Sequence, residues 1–90
     1  MDKTIKLPTH DLSNNYLEQI GDSNSYKYVL KTDMDWVRQG FLDEDTYFID
    51  PSGGPMLIVG DKLPGSEKYF IKSIHHKKHV GFIVTLKEKE

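Results

Sequence analysis

The histidines are the densest group of chemically versatile side chains in the sequence. His75, His76 and His79 lie within five residues of one another. Neutral imidazole is a good ligand for zinc, copper or nickel, so a turn that brought the three rings together would form a metal site. The two intervening lysines repel a cation, however, and a catalytic zinc takes its ligands from spaced, rigid positions. We therefore expect a solvated turn at 75–79, no metal and no cofactor, with a histidine metal site as the alternative.

Lysines in the same region offer a second chemistry. They would form a basic lobe, and an aromatic residue lies among them. Small β-barrels bind single-stranded nucleic acid by stacking bases on exposed aromatic rings beside a basic groove. The acidic first half of the chain opposes a polyanion. A nucleic-acid site is therefore an alternative function, and its residues would be Lys68, Tyr69, Lys72, Lys77 and Lys78.

Aromatic and acidic residues combine near the middle of the chain. A buried aromatic anchor with a charged rim is typical of surfaces that bind proteins. Three consecutive acids, at positions 43–45, favour a solvated turn between two aromatic-containing segments. The predicted protein-binding residues are Trp36, Phe41, Asp43, Glu44, Asp45 and Tyr47.

A glycine-rich turn follows these residues. Ser52, Gly53 and Gly54 would present successive backbone N–H groups to a phosphate or carboxylate, as anion-binding nests do. A P-loop also needs a lysine and a following helix, whereas Pro55 and a strand pattern follow here. A tight turn is the favoured interpretation, with anion binding as the alternative. The segment 52–59 also resembles a turn in the small YodC-like bacterial proteins, although Met56 lies one position earlier than the methionine of that turn. This resemblance implies no site residue.

The sequence carries no motif of a known catalytic site. It contains no G-x-S-x-G nucleophile elbow. The acidic segments 33–35 and 43–45 lack the spacing of an EF-hand loop. The spacing of the carboxylates and histidines singles out no general acid and base. We therefore expect that the protein is not an enzyme.

Composition limits the class of protein. The chain has 90 residues, no cysteine and a formal net charge of −2, with 37% hydrophobic residues. This predicts a single β-rich domain spanning 1–90, with an arm at 1–8 and a frayed tail at 87–90. Residues 1–45 carry a net charge of −4 and residues 46–90 a net charge of +2. The sequence has no apolar run long enough to span a bilayer, so we expect a cytoplasmic protein with no membrane partner.

The pattern of strands and turns predicts the fold. Apolar, β-favouring runs flank the turn at 51–54 and recur at 26–32, 69–74 and 80–86. The apolar spacing of 12–20 predicts a short helix that ends at Gly21, and 34–39 would form a second. The expected class is α+β and mostly β: a strongly bent five-stranded antiparallel sheet, or an SH3-like or OB-like barrel. An open sheet with the first helix across it is the alternative.

These observations lead to three hypotheses of function. The first is a small non-enzymatic protein-binding module, such as an adaptor or a stoichiometric inhibitor of a phage or mobile element. It would act as a monomer or a homodimer. The second is a single-stranded nucleic-acid binder, and the third is a small-ligand or metal-binding protein.

Overall fold

The described structure is built entirely from strands. A computed structural model describes residues 3–9, 14–22, 24–33, 37–43, 46–51 and 53–88. Eight strands occupy these ranges, and every pair among them is antiparallel. The strands are β1 (Thr4–Lys6), β2 (Asn15–Gln19), β3 (Lys27–Thr32), β4 (Val37–Phe41), β5 (Tyr47–Pro51), β6 (Leu57–Ile58), β7 (Tyr69–Lys77) and β8 (Gly81–Glu88).

The strands form two sheets. One sheet has five strands in the order β1-β2-β3-β8-β7, and the other has three in the order β4-β5-β6. The described residues form neither a helix nor a closed barrel. The predicted α+β class, with an SH3-like or OB-like barrel and N-terminal helices, is therefore wrong. The domain is all-β with two antiparallel sheets.

The first predicted helix is a strand because its backbone is paired on both sides. Tyr16 faces Lys6 of β1 and Lys31 of β3 in the ladder. Leu17 is buried and Glu18 is exposed, which is the alternation of a strand. Because the two neighbouring strands satisfy the N–H and C=O groups of β2, tertiary pairing overrides the helical spacing of its apolar residues.

The second predicted helix is wrong for the same reason. Its C-terminal part lies in β4, where Arg38 pairs with Asp50 and Gly40 pairs with Phe48 of β5. The glycine leaves room for the neighbouring ring, since a Cβ at position 40 would lie 3.2 Å from the Phe48 ring. Residues 10–13 and 34–36, where parts of both helices were predicted, lie outside the described residues.

A short segment connects the two sheets. The Val59 N–H donates to the Tyr47 carbonyl of β5. One residue later, the Gly60 N–H donates to the Ile71 carbonyl of β7, and Ile71 donates back to Asp61. The chain therefore changes sheets at 59–61, where Gly60 adopts a φ of 92° that favours glycine.

The C-terminal hairpin agrees best with the sequence pattern. The ladder between β7 and β8 shifts register between Ile71 and Ser73, as the broken alternation at Ser73 predicted. Strand β7 extends to Lys77, so the predicted turn at 75–79 is shorter and covers only 78–80. Strand β8 continues to Glu88, beyond the predicted start of a frayed tail.

The hydrophobic core lies between the two sheets. It combines Tyr28, Val84 and Leu86 of the larger sheet with Ile49 and Leu57 of the smaller one. Each of these side chains has 2% or less of its surface exposed. The larger sheet therefore has one face toward the core and one face away from it.

Candidate functional site

The tip of the β4–β5 hairpin exposes apolar side chains. Phe41 is 70% exposed and Leu42 is 54% exposed. Asp43 follows them, and its carboxylate accepts a hydrogen bond from the Thr46 N–H at 3.1 Å. The Leu42 N–H donates to the Thr46 carbonyl at 3.0 Å, which closes the turn. We call Phe41, Leu42, Asp43 and Tyr47 the hairpin tip.

Tyr47 supports the exposed ring of Phe41. The two residues are cross-strand partners, and their rings meet edge to face with centroids 5.4 Å apart. Tyr47 also packs against the core, and its hydroxyl donates to the Gln39 side-chain oxygen. Burial raises the pKa of Tyr47 above its usual value. The exposed Phe41 ring therefore packs against Tyr47, whose own position is fixed by its core contacts and its hydrogen bond to Gln39.

The structure brings together part of the predicted protein-binding set. Phe41, Asp43 and Tyr47 lie at the same hairpin tip. The predicted residues Trp36, Glu44 and Asp45 lie outside the described residues. Leu42 was not predicted, because a single apolar residue before three acids looks like part of a solvated turn.

The three histidines do not converge. His75 and His76 are successive residues of β7, so their side chains project to opposite faces of the sheet. The His76 ring contacts the Phe82 ring at a tilt of 51°, with centroids 4.8 Å apart, whereas His79 lies in the turn with a φ of 67°. No group of three or more His, Cys, Asp or Glu side chains in the described part of the chain is placed to hold a metal ion.

The predicted basic lobe is spread along β7. Lys68 precedes the strand and Lys77 ends it, so they are separated by about 30 Å at the rise of an extended strand. Lys72 lies at the bulge and Lys78 in the turn beyond the strand. Tyr69 is 2% exposed, so its ring is not available to stack on a base. The structure therefore does not bring these five residues together in one cluster.

The first residue of that predicted lobe belongs to a different cluster. Lys68 lies over the Tyr69 ring at 5.2 Å from its centroid and 3.8 Å from the Glu88 carboxylate. The Tyr26 hydroxyl donates to the same carboxylate at 2.9 Å. This hydrogen bond, then burial and the negative charge of Glu88, raise the pKa of Tyr26 above its usual value.

These tyrosines predict a loss of stability in alkali. A folded-state pKa above the unfolded value means that the folded protein keeps protons that the unfolded chain releases, so the stabilisation is complete below about pH 10. It is lost as the pH rises through the folded-state pKa values of Tyr26 and Tyr47. The urea midpoint should therefore stay nearly constant up to about pH 10 and fall as the pH is raised above that value. In Tyr26→Phe, which cannot ionise at this position, the fall should be smaller, and an equal fall would contradict the role of Tyr26.

The glycine-rich turn packs against the core. A Cβ at position 54 would lie 2.9 Å from the side-chain nitrogen of the fully buried Asn15. Gly53 adopts a φ of 77°, which glycine tolerates best, and the Gly54 N–H donates to the Pro51 carbonyl at 3.2 Å. These features explain both glycines by packing and turn geometry, and Ser52 lies outside the described residues.

No protein-family model, curated protein or solved structure matches the chain. A search of the described residues for a helix long and apolar enough to cross a membrane finds none.

Proposed function

We propose that this protein is a small non-enzymatic protein-binding module, an adaptor or a stoichiometric inhibitor, whose contact surface is the hairpin tip. The observation that carries the proposal is the 70% exposure of Phe41 on top of a fixed tyrosine. An exposed aromatic ring is unfavourably solvated in the free protein. A partner that covers the ring removes its apolar surface from water, and this contributes favourable binding free energy. Because Tyr47 holds the ring in place, little side-chain entropy is lost on binding.

The composition of the hairpin tip defines the partner. Two adjacent apolar side chains fit an apolar cleft, and the carboxylate of Asp43 borders them. A complementary surface would surround its cleft with lysine or arginine, because like charges at a rim oppose association. The partner is therefore a protein with an apolar pocket and a basic rim. We further propose that binding takes place in the cytoplasm, where a chain without cysteine needs no disulfide.

Substitution at the hairpin tip tests this function. The double variant Phe41→Ala, Leu42→Ser should lose a partner that the wild-type protein captures from a lysate of its source organism. Removing an aromatic anchor typically weakens a protein interface by about 2 kcal/mol or more, which is roughly a 30-fold rise in Kd. Isothermal titration of the purified partner gives this Kd.

A matched control is available in a different hairpin, in the other sheet. Val80 is also apolar and 52% exposed, but it lies in the β7–β8 turn. Val80→Ser should therefore bind the partner like the wild-type protein. If both variants lose binding equally, or if the hairpin-tip variant keeps it, the proposed surface is wrong. Light scattering of each variant shows whether the captured partner is a second copy of this chain.

A further inference from the structure

The five-stranded sheet has a face that points away from the core. Side chains of directly paired residues lie on the same face of an antiparallel sheet. Lys6 of β1 pairs with Tyr16 of β2, and Tyr16 pairs with Lys31 of β3. Because their neighbours Leu17 and Leu30 are buried in the core, this row of two lysines around one tyrosine faces outward.

The same face collects further lysines. Lys27 of β3 pairs with Thr85 of β8, one row away from Tyr28 and Val84, whose side chains lie in the core, so Lys27 and Thr85 face outward. Lys87 of β8 pairs with Phe70 of β7, and both lie on the outward face. His75 of β7 pairs with Ile83 on the outward face, and Lys77, two residues further along the strand, lies on the same face. We call this surface the lysine face; its lysines are Lys6, Lys27, Lys31, Lys77 and Lys87.

The charge of the lysine face is unbalanced. Five lysines contrast with one acid, Glu18, among the described strand residues of this face. All five lysines are exposed, and none forms an ion pair with a described carboxylate. On the three-stranded sheet, by contrast, Arg38 pairs with Asp50. The protein has a net charge of −2, so folding has gathered a positive surface from an acidic chain.

Aromatic residues and a groove accompany these charges. Tyr16 and Phe70 are each half-buried and lie beside lysines in their rows. A cavity of about 710 Å³ opens on the same face, beside the β2–β3 turn. Its lining includes Lys27, His75 and Thr85 together with the carboxylate-bearing Asp22. The surface thus combines cations, partly exposed rings and a shallow depression.

We propose that the lysine face binds single-stranded nucleic acid. Its lysines would neutralise phosphates, and Tyr16, between Lys6 and Lys31, would stack on a base. A single strand fits better than a duplex because only unpaired bases offer a free face to an aromatic ring on the sheet. This site shares no residue with the hairpin tip, so either proposal can fail without the other.

Fluorescence anisotropy with a short labelled oligothymidylate tests the proposal. Counterion release from single strands gives a slope of about −0.7 per neutralised phosphate in log K against log salt, hence about −3.5 for five lysines. Affinity should therefore fall by about 100-fold between about 50 mM and 200 mM salt. No binding at the lower salt concentration would overturn the proposal.

Two pairs of substitutions locate the site. Lys6→Gln with Lys31→Gln should weaken binding by roughly 60-fold at about 50 mM salt and reduce the slope by about 1.4. Arg38→Gln with Lys68→Gln changes the net charge equally, but Arg38 lies in the three-stranded sheet and the Lys68 ammonium lies 3.8 Å from the Glu88 carboxylate. The control pair should bind within about twofold of the wild-type protein. Equal losses in the two pairs would overturn the proposed site.

Tyr16 separates nucleic acid from other polyanions. Tyr16→Leu should weaken oligothymidylate binding at least about fivefold, whereas Tyr16→Phe, which keeps the ring, should bind like the wild-type protein. Thermal unfolding confirms that both variants are folded. Binding that is insensitive to Tyr16→Leu, or that is tighter to duplex DNA, heparin or anionic vesicles, would overturn a single-stranded nucleic acid as the ligand.

Discussion

Tyr28→Ala is expected to destabilise the protein by about 3 to 5 kcal/mol. Tyr28 is completely buried and lies at the centre of the larger sheet, opposite Val84. Removing the ring leaves a cavity that the paired strands cannot close, because their ladder holds the backbone in place. For a domain of this size, total stability is about 5 to 15 kcal/mol, so Tm should fall by about 15 °C or more. Urea unfolding and a thermal melt measure both quantities.

A second tyrosine provides the control. Tyr16 is in the neighbouring strand but on the outward face, where it is half-buried. Tyr16→Ala should therefore cost less than about 1.5 kcal/mol, mainly through lost packing with its neighbours in the row. If the two substitutions cost the same, the assignment of the inner and outer faces is wrong, and the lysine face is wrong with it.

Leu57→Ala is expected to cost about 2 to 5 kcal/mol. Strand β6 has only two residues, Leu57 and Ile58, and Leu57 is fully buried. It pairs with Ile49 of β5 and belongs to the core between the sheets. The loss should appear as a lower urea midpoint with an unchanged dependence on urea concentration, because the folded structure exposes no new surface.

The preceding residue is the matched control. Met56 is 36% exposed, and Met56→Ala should change the free energy of unfolding by about 0.5 kcal/mol or less. A similar loss of unfolding free energy in both variants would mean that Leu57 contributes no more to the core than the exposed Met56. A small effect of Leu57→Ala alone would mean that the smaller sheet is not packed on the larger one.

The two proposed surfaces lie on different sheets. The hairpin tip belongs to the three-stranded sheet and contains Asp43, whereas the lysine face belongs to the five-stranded sheet. The sequence already separates an acidic first half from a basic second half, but the fold does not keep this division. Lys6, Lys27 and Lys31 come from the acidic half and join Lys77 and Lys87 on one face.

Local patterns were sufficient for the second half of the fold. The alternation of 80–86 and the turn at 51–54 predicted β8 and the connection from β5 to β6, and the slip at Ser73 predicted the bulge. In these segments the period of two, the β-branched residues and the glycines all favour the same structure, so no distant contact is needed to choose it. The residue types at Ser52, Gly53 and Gly54 likewise predict a tight turn without reference to any distant contact.

Tertiary structure decided the first half and both surfaces. Residues 12–20 carry apolar side chains at helical spacing, and 15–19 form a strand only because β1 and β3 supply hydrogen bonds on both sides. The register of those strands, which no local signal specifies, then places Lys6, Tyr16 and Lys31 in one row. It also separates the histidines and buries Tyr69, which adjacency in sequence had grouped as sites. Sequence determined which residues alternate, but only the pairing of distant strands decided which of them share a face.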